Sequence, residues 1–179
     1  WTENMCKVIA RSIKEVCEID VVIKNAAGRS RRLEGLDDKN SVFFGDIPEG
    51  AISVPMNGAI YKADVISGQK TGLFYDQRQN HKFVASLAGG KAVLDVFCHV
   101  GGFGLAAIAA GASNVSFVDS SASALELVGV GAAEMKKSDS INTIRGDAFA
   151  VMKELANSDH FYDIVICDPP AFVTSRNAL

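Results

Sequence analysis

An α/β architecture with a doubly wound parallel sheet is what this sequence predicts for residues 69–179, preceded by a small α+β region over residues 1–68. Three observations carry the expectation. From Ala92 onward, short apolar runs alternate with helical stretches at close spacing, the pattern of successive βα units. Those runs are apolar almost without a break, Val93-Leu94-Asp95-Val96-Phe97 and Val165-Ile166-Cys167 most clearly, as strands covered on both faces require. The first of them also runs through Cys98-His99-Val100 into Gly101-Gly102-Phe103-Gly104, a glycine turn that opens a helix.

The elements follow in order. Met5, Val8, Ile9, Ile13 and Val16 recur at helical spacing over Thr2 to Cys17, which predicts a one-sided helix with Thr2 as N-cap. Val21-Val22-Ile23 within Asp20 to Lys24 is a short strand, Asn25 to Gly28 a turn, and Arg29 to Leu36 a return strand or loop. Ser41 to Phe44, Ile52 to Pro55 and Ile60 to Ile66 are further strands. Asn57-Gly58 between the last two is a hairpin turn, because both residues tolerate the positive φ that a tight hairpin needs. Asp76 to Leu87 is a helix closed by Gly89-Gly90. Then come a strand over Ala92 to Phe97, a helix over Phe103 to Ala110 closed by Gly111, and a strand over Val115 to Val118. A helix over Ser121 to Lys137, a strand over Ile141 to Arg145, a helix over Ala148 to Ala156 and a strand over Tyr162 to Cys167 complete the series.

Bulk properties narrow the function. The 179 residues are 48% hydrophobic and 22% charged with a net charge of −3, so any contact with nucleic acid has to be local. Four cysteines (Cys6, Cys17, Cys98, Cys167) contain no C-x-x-C pair, and three scattered histidines offer no metal-ligand spacing. Reduced cysteines, no apolar run near ~20 residues and no signal peptide predict a cytoplasmic protein. Both ends read as cut: the chain opens on Trp1, and it stops shortly after Asp168-Pro169-Pro170 with the expected sheet about half built. The strand Tyr162 to Cys167 is then a bare apolar edge, which predicts a homodimer or aggregation through it.

In such a sheet ligands lie beyond the carboxyl ends of the strands, where strand order reverses. Four ends matter, and each carries an acid. Beside the first, the turn of Phe97, Cys98, His99, Gly101 and Gly102 wraps a ligand with backbone, and the helix after it offers free N–H groups to an anion. Asp95 inside the strand either compensates an ammonium group or bonds amides of the turn. Asp119-Ser120 ends the second strand, 24 residues after Asp95, where an acid would accept ribose hydroxyls or cap the next helix. Asp147-Ala148 follows the third strand, with Asp147 facing an adenine amino group or capping its helix, and Ala148 lending a backbone amide. Asp168-Pro169-Pro170 ends the fourth. Its two prolines remove two donors and leave carbonyls free, which suits holding a planar base with Phe172 stacked on it; a plain strand stop is the alternative.

This layout is that of a class I S-adenosylmethionine-dependent methyltransferase, Rossmann-like, of which the first half is present. Gly102-Phe103-Gly104-Leu105-Ala106-Ala107 also matches the dinucleotide pattern G-x-G-x-x-A, with Asp119 17 residues after Gly102. The internal Asp95, the long turn before the glycines and the Asp-Pro-Pro exit argue against an NAD(P) oxidoreductase. Cys98-His99 reads as a nucleophile beside its base or as part of the wrapping turn, Cys167 as core, and Arg29, Arg31 and Arg32 as a solvated turn or an RNA phosphate contact.

Together these motifs resemble the bacterial 23S ribosomal RNA methyltransferase family, the YccW-like cytosine-5 group. Arg32-Leu33-Glu34-Gly35-Leu36 resembles its Arg/Lys-x-Glu-Gly-Leu segment, and residues Gln69 to Arg78 are similar to its linker into the catalytic domain. Asp95 to Gly104 resembles its cofactor loop, and Asp168-Pro169-Pro170-Ala171-Phe172 its Asp-Pro-Pro-Lys-Phe motif. The resemblance implies S-adenosylmethionine as donor and RNA as acceptor. Ala171 stands where the family tends to have Lys, and His81 where it often has Arg. Nothing here resembles the N-terminal PUA domain that members usually carry. The Cys that adds to cytosine C6 in that group would lie beyond Leu179, and relatives with similar linkers methylate guanine nitrogens, so both acceptors stay open. A non-catalytic RNA-binding protein with a degenerate pocket is the reading of another class.

Overall fold

The computed structural model describes residues 2–26, 31, 33–37, 39–66, 68 and 72–170, with only the backbone of Thr2 and Glu3. Phe172, Ala171, Arg29, Arg32, the Gln69-Lys70-Thr71 part of the linker and the Thr2 cap therefore lie outside the described residues and side chains. The chain forms two compact units, Trp1–Gly50 and Ala51–Leu179.

In the first unit α1 (Thr2–Cys17) is the predicted helix. Ala10 is buried, while Val8, Ile9, Ile13 and Val16 are exposed. β1 (Val22–Lys24) pairs antiparallel with β2 (Ser41–Phe44), with a bulge between Val22 and Ile23. Arg29 to Leu36 reads as a return strand or a loop, and its described residues form no strand. Arg31 and Leu33 are helical, and the N–H groups of Glu34 and Leu36 both reach back to the Arg31 carbonyl, so local turn bonds replace a ladder. The Lys14 ammonium lies 4.6 Å from the centre of the Phe44 ring, a cation–π contact.

The second unit opens with the hairpin β3 (Ile52–Met56) and β4 (Ala59–Ala63). Asn57 (φ 54°) and Gly58 (φ 78°) form its turn, as the sequence predicts. β4 ends at Ala63 rather than Ile66, because the Asp64 side chain and carbonyl capture the N–H groups of Ile66 and Gly68 and turn the chain. Ala59, Tyr61 and Ala63 alternate inward and are buried. The hairpin packs on helices of this unit, so the boundary drawn at residue 68 does not coincide with the division at residues 50 and 51.

A 3₁₀ turn (Tyr75–Gln77) then leads into α2 (Arg78–Leu87), β5 (Ala92–Val96), α3 (Gly102–Ala109) and β6 (Asn114–Asp119). α4 (Ala122–Glu134), β7 (Ile141–Arg145), α5 (Ala148–Ala156) and β8 (Ile164–Cys167) follow. α4 is three residues shorter at its end than its apolar pattern suggests. Lys136 turns left-handed (φ 59°), and the N–H groups of Lys136 and Lys137 fold back onto Ala133 and Ala132.

All four strands from β5 to β8 are parallel, in the order β7-β6-β5-β8. The order reverses between β5 and β8, which places the switch point at their carboxyl ends. Val93, Val115 and Phe117 face one core with Leu105, Ile108 and Val128. Leu94, Val96 and Val118 face a second core with Ala148 and Val151. Both faces of the central strands are thus covered, which explains their unbroken apolar runs. β8 is less enclosed: Val165 and Cys167 are exposed, so Cys167 is not the core residue expected of it. Among the described residues no helix covers that face of the outer strand.

Candidate functional site

Polar groups gather where the parallel strands end. The bonding runs two residues past β5, Cys98 N–H donating to the Val118 carbonyl at 3.1 Å, and Gly146 N–H donates to the Asp119 carbonyl at 3.1 Å. The three neighbouring strand ends are thereby fixed to one another before any side chain is considered.

The turn leaving β5 is tightly wound. Phe97 (φ 61°), His99 (φ 50°) and Gly101 (φ 83°) all adopt left-handed backbone. Positive φ at two non-glycine residues costs energy and persists where surrounding contacts over-determine it, often at functional sites. Here the contacts are visible. Asp119 Oδ2 accepts the His99 N–H at 2.8 Å, and its Oδ1 accepts the Ser121 N–H at 2.9 Å. The His99 ring stands edge-on to Phe74 at 5.4 Å, and Phe97 edge-on to Phe149 at 5.9 Å.

Asp95 is 1% exposed, and its Oδ2 accepts the Gly104 N–H at 2.8 Å. Burial raises its pKa to about 7; the Gly104 bond opposes this, and the charges of Asp168 and Asp119 reinforce it. Gly104 has to be glycine, since a Cβ there would lie 2.2 Å from the Phe117 ring. The first turn of α3 therefore presses onto the sheet, while Gly102 and Phe103 N–H groups have no hydrogen-bond partner among the described residues. Tyr61 from β4 donates its hydroxyl to the Gly102 carbonyl at 3.1 Å and holds the turn from the other side.

The other sequence candidates sort as follows. Ser121, not Asp119, caps α4, accepting from Ala124 N–H at 3.2 Å, so Asp119 is not spent on a cap. Asp147 is the N-cap of α5, accepting from Ala150 N–H at 2.9 Å. The capping alternative for Asp147 is thus realised. Ala148 is buried and can offer only backbone, and the exposed Ser120 gives its carbonyl to Arg145 Nε at 3.3 Å. Cys98 is 5% exposed with its thiol pKa pushed up by burial, which favours the wrapping-turn reading over the nucleophile. Its Sγ points at the His99 carbonyl at 3.6 Å. Asp168, Pro169 and Pro170 are exposed at the end of β8. Arg31 donates Nε to the Asp37 carbonyl at 2.8 Å within the first unit.

Two residues escape sequence reasoning, and a third, His81, enters it only as standing where the resembled family often has Arg. Tyr61 reads only as an inward strand position. Phe149, half exposed beside Phe97, reads as an ordinary helix residue. His81 of α2 is 3% exposed and stacks edge-on against Phe103 at 4.5 Å; its signal was a histidine on the apolar face of a helix that precedes the glycine turn. A separate cavity of about 350 Å³, lined by Ala92, Asn114 and Ser116 among others, lies by the amino ends of β5 and β6, away from these groups.

The arrangement offers free N–H donors for an anion, a buried acid for a cation, an acid with two anchored oxygens beside it, and a proline-fixed exit across the switch point. That donor set fits a ligand with an amino-acid end and a nucleoside end. Residues 26–179 match the family described as S-adenosylmethionine-dependent methyltransferase. The chain is 36% identical over 152 residues to a protein from Aeromonas hydrophila named ribosomal RNA large subunit methyltransferase I, covering 83% of this chain and 38% of that protein. The chain thus spans less than half the length of that curated relative. It superposes on a chain described as a methyltransferase complexed with SAH (TM-score 0.78, 22% identity, 99% of this chain and 45% of the other). It also superposes on aTrm5 from a complex with tRNALeu (TM-score 0.66, 18% identity, 95% and 46%).

Proposed function

The chain belongs to the S-adenosylmethionine-dependent methyltransferase family, and from that premise we propose that it methylates a base of RNA, ribosomal RNA foremost, with cytosine C5 as the favoured position. The dinucleotide reading of the glycine turn falls with the family assignment. The observation that carries the cofactor site is the pair of N–H groups at Gly102 and Phe103, without a partner among the described residues, beside the buried Asp95, with Asp119 at the next strand end. The ribosomal reading rests on the name of the Aeromonas relative.

When bound, S-adenosylmethionine supplies an electrophilic methyl group on a sulfonium sulfur. The residues of this chain do the rest. Asp95 accepts from the ammonium of the amino-acid end, Gly101 and Gly102 let the backbone approach closely, and the Phe97, Cys98 and His99 turn wraps it. Asp119, with Ser120 beside it, accepts from the ribose hydroxyls through lone pairs its two backbone bonds leave over. Asp147 and the Ala148 N–H lie toward the adenine edge, where Phe149 offers a ring face. Asp168, Pro169, Pro170 and Phe172 hold the target base, flipped from its stack, and rate comes mainly from in-line positioning.

Cytosine C5 chemistry also requires a thiolate. Cys98 is too deeply buried and too weakly acidic to be that group. A guanine nitrogen needs no thiol and is the second reading. The cytoplasm is the proposed place of action; among the described residues no helix is long and apolar enough to cross a membrane. Pairing of two copies through β8 is the proposed consequence of its exposed edge, and a monodisperse monomer in sedimentation would discard it.

Calorimetric titration with S-adenosylhomocysteine, with NADH in parallel and circular dichroism to confirm folding, tests the cofactor. Binding of the former alone is expected. Transfer of a labelled methyl group to ribosomal RNA, followed by nucleoside analysis, tests the acceptor: 5-methylcytidine supports the favoured reading, and a methylated guanosine replaces it with the second. Binding without transfer to any RNA leaves the degenerate-pocket protein.

A further inference from the structure

We infer that the cavity at the amino ends of β5 and β6 is a pocket for a nucleobase, presented by an unpaired stretch of the RNA being modified; the inference rests on the RNA reading above. The first observation is a break in the apolar pattern. Strands of a parallel sheet covered on both faces are apolar throughout. On the α5 side the carboxyl halves of β6 and β7 keep to this, with Val118 and Ile144 in the core. On the same side of the pleat, Ser116 and Asn114 stand two and four residues before Val118, and Asn142 two residues before Ile144. Ser116 pairs with Asn142 in the ladder, and Asn114 lies diagonal to Asn142. These polar side chains line about 350 Å³ of space, where the rest of the face packs against helix.

The second observation is what the walls can bond. Ser116 is 4% exposed, and the Tyr162 hydroxyl donates to its Oγ at 3.1 Å, so these two groups satisfy each other. Among the described residues no hydrogen bond reaches the exposed carboxamides of Asn114 and Asn142 or the ring of His160. A carboxamide sets a donor beside an acceptor, the pattern that matches a base edge. Phe161 also lines the cavity, and at 87% exposure it leaves a ring face open for stacking. Stacking on an aromatic side chain together with hydrogen bonds to the base edges is how unpaired RNA bases are held.

Charge selects among ligands. None of the side chains lining the cavity is a carboxylate, a lysine or an arginine, so neither a phosphate nor an ammonium meets a counter-charge inside it. On the amino rim around it Lys91, Lys136 and Lys137 are matched by Asp139, Asp159 and Asp163, and Lys91 lies 3.8 Å from Asp163. A base is planar, neutral and polar at its edges, which is what such a pocket accepts. The strands from β5 to β7 have five or six residues, so roughly 15–20 Å separates this pocket from the site at their carboxyl ends. It therefore grips RNA away from the base being methylated, and it contributes to substrate affinity rather than to the rate of transfer.

The test uses the full chain with S-adenosylhomocysteine at saturation, which keeps the cofactor site filled. Fluorescence anisotropy follows a short single-stranded RNA of mixed sequence and the same strand without bases. Phe161→Ala is expected to weaken the RNA about tenfold, the scale of one lost stacked base, and Asn142→Ala to weaken it less. Neither change should alter binding of the baseless strand or the affinity for S-adenosylhomocysteine. The Phe161→Ala deficit should be the same at low and high salt, because the lost contact carries no charge. In methyl transfer to ribosomal RNA this variant should raise KM and leave kcat unchanged. Intact RNA affinity in Phe161→Ala, equal binding of the baseless strand, or a matching loss of S-adenosylhomocysteine affinity overturns the pocket and leaves the methyltransferase reading standing. Should the variants fail to fold, 4-thiouridine in the strand is photo-crosslinked to the unaltered protein and mapped by mass spectrometry. Labelling at His160 to Tyr162 is expected, and labelling confined to other segments overturns the pocket. Free cytidine or adenosine that binds there as tightly as the strand overturns the RNA role and gives the pocket to a nucleoside. If the unaltered protein binds no RNA and transfers no methyl group to it, the RNA reading itself fails and takes the pocket with it.

Discussion

The backbone N–H of His99 hangs on the carboxylate of Asp119, at 2.8 Å from Oδ2, while Oδ1 holds the N–H of Ser121 at 2.9 Å. One side chain at the end of β6 thus fixes both the turn after β5 and the start of α4. It is at once a structural tie and the proposed ribose acceptor, and the two roles are separable by substitution.

Asp119→Ala is expected to weaken S-adenosylhomocysteine binding tenfold or more, about 1.4 kcal/mol. Asp119→Asn keeps one carbonyl acceptor for a backbone N–H but loses the charge and an acceptor face. It should retain most of the thermal stability of the unaltered protein and still lose affinity. Calorimetry and thermal melting, read together, check this. Unchanged affinity in Asp119→Ala would remove the residue from the site.

Asp95 predicts a proton signature. Its pKa is raised to about 7 by burial, so in the free protein it is largely protonated at pH 6. An ammonium placed beside it favours the ionised form, and binding at pH 6 should release a proton. Titrations in buffers of different ionisation enthalpy measure that number directly; no dependence on buffer would show that Asp95 does not meet the ammonium. The same shift has a stability consequence with a definite sign. The folded state holds this proton more tightly than the unfolded state does, so the Asp95 contribution is greatest below about pH 4 and is lost as pH rises toward 7. Asp95→Asn should flatten that slope.

Much of this was legible in the sequence, and the reasons differ from element to element. β5 and β6 were readable because a strand covered on both faces has to be apolar throughout. The Asn57-Gly58 hairpin was readable because its turn demands positive φ at both residues. Asp147 was ambiguous since a cap and an adenine contact call for the same residue at the same place, and only the 2.9 Å bond from Ala150 N–H shows that it caps. Arg29 to Leu36 reads equally as a strand or a loop, and the bonds onto the Arg31 carbonyl that favour a turn among its described residues have no strong sequence signal. His81 was least legible of all, because what singles it out is a contact with Gly102, 21 positions along the chain, made through the packing of α2 on α3.

Thiol chemistry separates Cys98 from the other cysteines. Cys17 and Cys167 are exposed, and Cys98 is buried with its pKa pushed up. A small alkylating reagent at neutral pH should modify Cys17 and Cys167 quickly and Cys98 only under denaturing conditions. Cys98→Ala should still bind S-adenosylhomocysteine, because only the backbone of that turn is assigned to the ligand. Rapid native labelling of Cys98, mapped by mass spectrometry, would contradict its burial and reopen its candidacy as a nucleophile.

Two glycine-to-alanine changes should move stability in opposite directions. At Gly104 a Cβ would sit 2.2 Å from the Phe117 ring, which is itself fully buried between α3 and the sheet. The ring cannot retreat without opening the core, so Gly104→Ala should cost on the order of 1–3 kcal/mol. It should also weaken ligand binding, because the N–H that anchors Asp95 belongs to this residue. Gly129 lies inside α4 with nothing within 4 Å of its would-be Cβ. Alanine there removes backbone freedom from the unfolded chain without meeting anything in the folded one, and should stabilise by about 0.5–1 kcal/mol. Denaturant titration of the two variants measures both, with unchanged slopes confirming that the folded state is the same. A stable Gly104→Ala would mean that α3 can lift off Phe117, and the glycine turn would then be less rigid than a preorganised site requires.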